Sequence, residues 1–282
     1  MKKLSTIIIM SLLFEASAFS AKVMRLHAIA FCGTNLEYIG TSCQNDQDRF
    51  FNELSFIATA IGCDEEWIVC NGDSFNKSNL EKTLDELECA PNDVVFFYYS
   101  GNGIQARNAP SSTWLPQMCF NSEANDEKDI VPVSYVKEVL QSKGARLNII
   151  ITDCSNHEAE WVSAKEEKLS VVYNEAIAHK KRPIPILSAS DNTNAGAPNI
   201  KNLIKLFKKS KGFVVATASK RGQASYTARE GGYFSKAFWD EIYSVENGKS
   251  TAKWESILEA TRLKTLEYTD GKQEPIYQIT KK

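Results

Sequence analysis

The sequence predicts an α/β protein, a doubly wound and mostly parallel sheet flanked by helices in a three-layer sandwich. Three observations carry that expectation. Five short apolar runs recur along the chain, at residues 25–31, 67–70, 94–99, 147–151 and 213–218. None alternates strictly between apolar and polar residues, which is how parallel strands covered on both faces read. Segments with apolar residues at helical spacing separate the runs, so strand and helix alternate five times.

Each helical segment has its own signal. Phe50, Leu54, Ile57, Ala58 and Ile61 share one helical face. Leu80, Leu84 and Leu87 repeat the spacing behind Ser78 and Glu81, which read as a capping box. Val136, Val139 and Leu140 precede Gly144, and Ile200, Leu203, Ile204 and Phe207 precede the fifth run. The C-terminal third adds a Gly231-Gly232 turn, a helix around residues 234–243, and another at 251–268 carrying Trp254, Ile257, Leu258 and Leu266.

Two stretches break the rhythm. Residues 106–130 are polar, with Glu123, Asp126, Glu127 and Asp129; residues 155–199 are long, with Pro183, Pro185, Pro198 and the basic cluster Lys180, Lys181 and Arg182. Loops of such length are functional or disordered. The acidic stretch lacks EF-hand spacing, so no calcium site is expected, and the basic cluster reads as a solvated charge run.

Composition narrows the function classes. The 282 residues are 43% hydrophobic and 24% charged, enough for one large domain. A net charge of -2, with Lys and Arg scattered among acids, gives no basic groove for nucleic acid. Lys2 and Lys3, an apolar run to Phe14, then Ala16, Ser17, Ala18, Ser20 and Ala21 have the layout of a removable secretory signal over residues 1–20. The run is much shorter than the ~20 residues of a spanning helix. The expectation is therefore a secreted or periplasmic domain at residues 22–282, without membrane attachment once the signal is removed. Seven cysteines would permit disulfides but leave one thiol unpaired; most are expected to pack as small hydrophobes. Without a CxxC pair no metal or other cofactor is expected.

In open α/β sheets, sites form beyond the carboxyl ends of the strands. Two such loops stand out: Ser100-Gly101-Asn102-Gly103 after the third run, and Thr152-Asp153-Cys154-Ser155-Asn156-His157 after the fourth. The segment at 93–105 resembles the strand and turn of caspases and metacaspases, where the motif ends in Ser-Gly-His-Gly and the His is the catalytic base. The segment at 148–156 resembles that family's second motif, in which an Asp precedes the nucleophilic Cys by two positions. Residues 39–46, 212–219 and 232–238 resemble further family segments. The resemblance spans about residues 25–280 in the family's order, dividing the domain into a large-subunit-like part (22–155), a long loop (156–197) and a small-subunit-like part (198–282).

The resemblance implies a caspase-like sheet and a cysteine-peptidase cleft, but it puts Asn102 at the base position and Ser155 at the nucleophile position. An amide does not accept a proton near neutral pH, and a serine hydroxyl without a base is a weak nucleophile. The expectation is a pseudopeptidase. Asp46 and Asp153 match the family's acids that bind a basic substrate side chain; read alone, Asp46 would cap a helix before Phe50 and Asp153 would close a turn. The implied partner is a basic peptide segment or a partner protein, a related peptidase among the options. The alternative is a residual hydrolase with a displaced dyad of Cys154 or Ser155 and His157. His27 and His179 read as structural or exposed. A nucleotide-binding module would need a Gly-rich phosphate loop, and the sequence has none.

Overall fold

A strand whose side chains are all apolar needs cover on both faces. The computed structural model describes residues 23–106, 109–110, 112–120, 129–158 and 198–281. In chain order the first half holds β1 (Arg25–Cys32), α1 (Gly40–Ile61), β2 (Asp64–Cys70), α2 (Lys77–Glu86), β3 (Val94–Ser100), β4 (Asn102–Ile104), β5 (Gln117–Cys119), β6 (Ile130–Pro132), α3 (Val133–Lys143) and β7 (Leu147–Asp153). The second half holds α4 (Ile200–Leu203), which runs into a π turn (Ile204–Lys209), then β8 (Gly212–Thr217), β9 (Thr227–Ala228), β10 (Gly231–Gly232), α5 (Tyr233–Glu246), α6 (Trp254–Tyr268) and β11 (Ile276–Thr280).

The main sheet has the order β11-β8-β7-β3-β1-β2. Strands β2, β1, β3, β7 and β8 run parallel, and β11 is antiparallel to β8. Alternate residues of each central strand serve opposite faces. Phe96, Tyr98, Ile149 and Ile151 pack with Phe50, Leu54, Phe238 and Trp239 from α1 and α5, and with Trp254 and Ile257 from α6. Val95, Phe97, Tyr99 and Ile150 pack with Leu80 and Leu84 of α2 and with Val136 and Leu140 of α3. The three-layer, mostly parallel architecture is thus the one that the apolar runs require.

Four local expectations are corrected. The cap of α2 is Asn76, not Ser78: the Asn76 carboxamide oxygen accepts the Asn79 N–H at 2.8 Å. Asn76 has the extended backbone that a cap needs, whereas Ser78 already lies in the first turn and Glu81 faces Lys77. Helix α1 begins at Gly40, so Asp46 sits inside it and caps nothing. The polar stretch at 106–130 contains β5, which joins β4 and β6 in a small antiparallel sheet. The edge strand β11 was not foreseen, because its half-exposed residues alternate too briefly to stand out. The signal-like N-terminus, Glu123, Asp126 and Glu127, and the segment with His179, Lys180, Lys181 and Arg182 lie outside the described residues.

Phe50 anchors the first core, with its ring 4.9 Å from Tyr98 and 5.4 Å from Phe96 by centroids, and Trp67 and Trp239 against its edges. Removing it leaves a cavity that rigid neighbours on three elements cannot fill. Phe50→Ala should therefore cost about 3–5 kcal/mol of unfolding free energy. Urea denaturation checks this; a loss below about 1 kcal/mol would show that the core re-packs.

Candidate functional site

The parallel register of β3 and β7 sets Ser100 opposite Asp153. Both strands end there, and the loops beyond them start side by side. The Gly101 N–H donates to the Asp153 carbonyl at 3.2 Å. Gly103 is needed next: a Cβ there would stand 2.6 Å from both the Cys154 Sγ and the Ser155 carbonyl oxygen. Its missing side chain lets the strand carrying Asn102 lie directly on the segment carrying Ser155. The two sequence-predicted catalytic positions are thereby brought together.

Ser155 is held through its side chain, and Asn102 through its main chain. The Ser155 Oγ accepts the Ser225 N–H at 3.0 Å, so a loop from the second half of the chain holds it. The Tyr99 hydroxyl shares its single proton between the carbonyls of Asn102 at 2.7 Å and Cys119 at 2.8 Å, and accepts the Cys119 N–H at 3.1 Å. Cys154 turns inward, 1% exposed and packed in the second core, where burial pushes its thiol well above the ordinary range. His157 is half-buried, its pKa is lowered by burial, and its Nδ1 has no partner among the described residues.

Below these positions lie the two predicted substrate-binding acids, both buried. Asp46 projects from the middle of α1, where its carboxylate accepts the Gly232 N–H at 3.1 Å and the Ser100 hydroxyl at 2.9 Å. Asp153 accepts the Ser225 hydroxyl at 2.6 Å on one oxygen, and the Ser235 N–H at 3.0 Å and hydroxyl at 2.7 Å on the other. Tyr98 braces Ser235 through a 2.6 Å hydroxyl contact. Gly231 and Gly232 close over the pair: Gly231 adopts φ 127°, and a Cβ on it would stand 2.5 Å from Asp46 Oδ1, while one on Gly232 would overlap Asp153 Oδ2. Only glycine lets the backbone approach so closely.

Helix α5 starts at the same point with no side-chain cap of its own. Asp153 reaches in from β7 and satisfies the Ser235 N–H in its first turn, one of the donors a helix start leaves open. A helix start favours negative charge, but desolvation opposes it. Burial wins at both acids: it raises the pKa of Asp46, helped by the neighbouring charge of Asp153, and it raises that of Asp153. Cys43 packs beside Ser100, with its thiol pushed up to about 12 by burial.

The sequence singles out Asn102, Asp153, Cys154, Ser155 and His157 in the loops after β3 and β7 and Asp46 in α1, but not the hydroxyl donors Ser225 and Ser235 that hold Asp153. The small pair Gly231-Gly232 just before an aromatic helix start was the available signal for them. A fully buried Asn156 pins the surrounding loops, donating to the carbonyls of Trp114 at 2.8 Å and Ser219 at 3.2 Å and accepting from Gln105 at 3.2 Å. Among the described residues no three His, Cys, Asp or Glu side chains are grouped as a metal ion would require.

A family model described as the caspase domain matches residues 34–282. Caspase-1 from Spodoptera frugiperda is similar in structure, with a TM-score of 0.52 at 13% sequence identity over 92% of this chain and 87% of that one. A Geobacter sulfurreducens protein aligns with a TM-score of 0.48 at 12% identity, over 90% of this chain and 92% of that one. Comparison with curated proteins finds no match.

Because burial raises both carboxyls above their unfolded values, the folded chain binds protons there more tightly than the unfolded chain, and the pair favours folding most at low pH. That contribution declines as pH rises through and beyond the usual carboxylate range. Asp46→Asn keeps an acceptor for Gly232 and cannot ionise. The stability gap between the native chain and Asp46→Asn should shift against the native chain, by the order of 1 kcal/mol, between about pH 5 and about pH 9. Thermal melts at each pH check it, and a gap that stays constant would contradict the assignment.

Proposed function

This chain belongs to the caspase-domain family, and from that premise we propose that it is an exported pseudopeptidase whose cleft binds a basic peptide segment without cleaving it. The single observation behind this reading is the pairing of two features at one sheet edge. The acids Asp46 and Asp153 lie together beneath the ends of β3 and β7, while Asn102 and Ser155 occupy the places where base and nucleophile would act.

The chemistry argues for silence. Asn102 offers a carboxamide, which takes no proton from a nucleophile near neutral pH. The Ser155 Oγ accepts the Ser225 N–H, and a serine hydroxyl needs an adjacent base to act as a nucleophile. The rival pair of Cys154 and His157 has a buried thiol with a raised pKa, the reverse of what a thiolate nucleophile needs. Losing one member of such a pair costs on the order of 10⁴ in rate.

The chemistry also argues for cation selection. An entering Arg or Lys head would take over hydroxyl and amide partners with charge-assisted hydrogen bonds. It would also supply the positive charge that lets both buried acids ionise. The export of the chain rests on its N-terminal residue pattern alone.

The test is hydrolysis of fluorogenic peptides ending in Arg or Lys, by the native chain and by the Asn102→His plus Ser155→Cys double variant. The native chain should be silent, and the double variant should exceed it by at least about 10²-fold in kcat/KM, with Arg and Lys preferred over uncharged residues. Native turnover that Cys154→Ala abolishes would overturn the reading in favour of the displaced dyad.

A further inference from the structure

Strand β2 ends the main sheet. It pairs with β1 on one side, and among the described residues nothing pairs with it on the other. A free edge of seven residues presents unsatisfied N–H and C=O groups, and proteins usually blunt such an edge with Lys, Pro or a bulge. The half of β2 from Trp67 to Cys70 carries none of these.

Each face of this edge carries a recess. On the α1 side a recess of about 330 Å³ is lined by Gln47, Asp48, Phe51, Asn52 and Val69. Phe51 and Val69 are 47% and 38% exposed, unusual for large apolar side chains, and the Phe51 ring leans on Trp67 at 4.6 Å. On the α2 side a recess of about 580 Å³ is lined by Ile68, Cys70, Thr83 and Leu87 with Arg25 and Glu86. Successive side chains of an added strand point to opposite faces. A strand laid along β2 would therefore drop alternate residues into the two recesses, which is how strand addition gains specificity.

Charge specifies the occupant. Asp64, Glu65 and Glu66 are exposed on β2, and Asp48, Glu86 and Glu88 rim the recesses. Against these six acids stand Arg25, already paired with Glu66, and Lys82. We propose that the β2 edge, away from the cleft, docks an extended basic segment of a partner protein by strand addition, with its apolar side chains seated against Phe51 and Val69. Asp64, Glu65 and Glu66 would repel a second copy of this acidic edge and attract a cationic strand.

The probe is a fluorescent alternating Lys-Val octapeptide, read by anisotropy and by hydrogen exchange of the full chain. Binding should slow exchange in residues 64–70. It should weaken at least tenfold in the Glu65→Lys plus Val69→Lys variant, whose changes are at exposed positions. A backbone N-methylated version, with the same charge but no ladder donors, should give no protection. The proposal falls if protection appears only around Asp46 and Asp153, if the N-methylated peptide binds equally well, or if light scattering shows the free chain self-associating with residues 64–70 protected.

Discussion

Two carboxyl groups far apart in the chain lie buried under one pair of glycines, and much of the molecule is arranged to make that arrangement tolerable. Asp46 comes from α1 and Asp153 from the end of β7, while the loop before β9, strand β10 and the start of α5 supply most of their donors. Leaving such groups dry and unpartnered would cost several kcal/mol, so each oxygen finds an N–H or hydroxyl. The same bonds tie the hairpin to α1, which Ser42 reinforces on Thr227 and Asn45 on the Arg229 carbonyl. The satisfaction of two buried acids and the tertiary closure are thus one network.

That network rests on Asp46, Asp153 and Asn156 rather than on Asn102. The hydrogen bonds of the Asp46 and Asp153 carboxyls and of the Asn156 carboxamide run to neither Asn102 nor Ser155. Ser155 is bonded to Ser225, which also serves Asp153, and so contributes to the closure rather than to a reaction. Raised carboxyl pKa values follow from burial, which outweighs the opposing charge of Arg49 at Asp46.

Strands β1, β3, β7 and β8 were legible because each is buried along nearly its whole length and so reads as an unbroken apolar run, whereas the half-exposed edge strand β2 shows only through its short apolar end. The loops at their carboxyl ends followed from that, and with them Asn102, Asp153, Cys154, Ser155 and His157. Asp46 was legible only through family resemblance, since a helix interior acid facing inward has no local signature. Strands β4, β5, β9 and β10 are two or three residues long, too short for any period to show. Ser225 and Ser235 were invisible for a different reason: their role depends on contacts with residues far away in the chain, and serine is common in turns for local reasons.

The most direct test of a cleft that selects cations without chemistry is intact-protein mass spectrometry after incubation with a peptidyl-arginine chloromethyl ketone. The account predicts an unchanged mass after denaturation, because no thiolate or activated hydroxyl meets the reactive carbon. A single stoichiometric adduct mapping to Cys154 or Ser155 would contradict it.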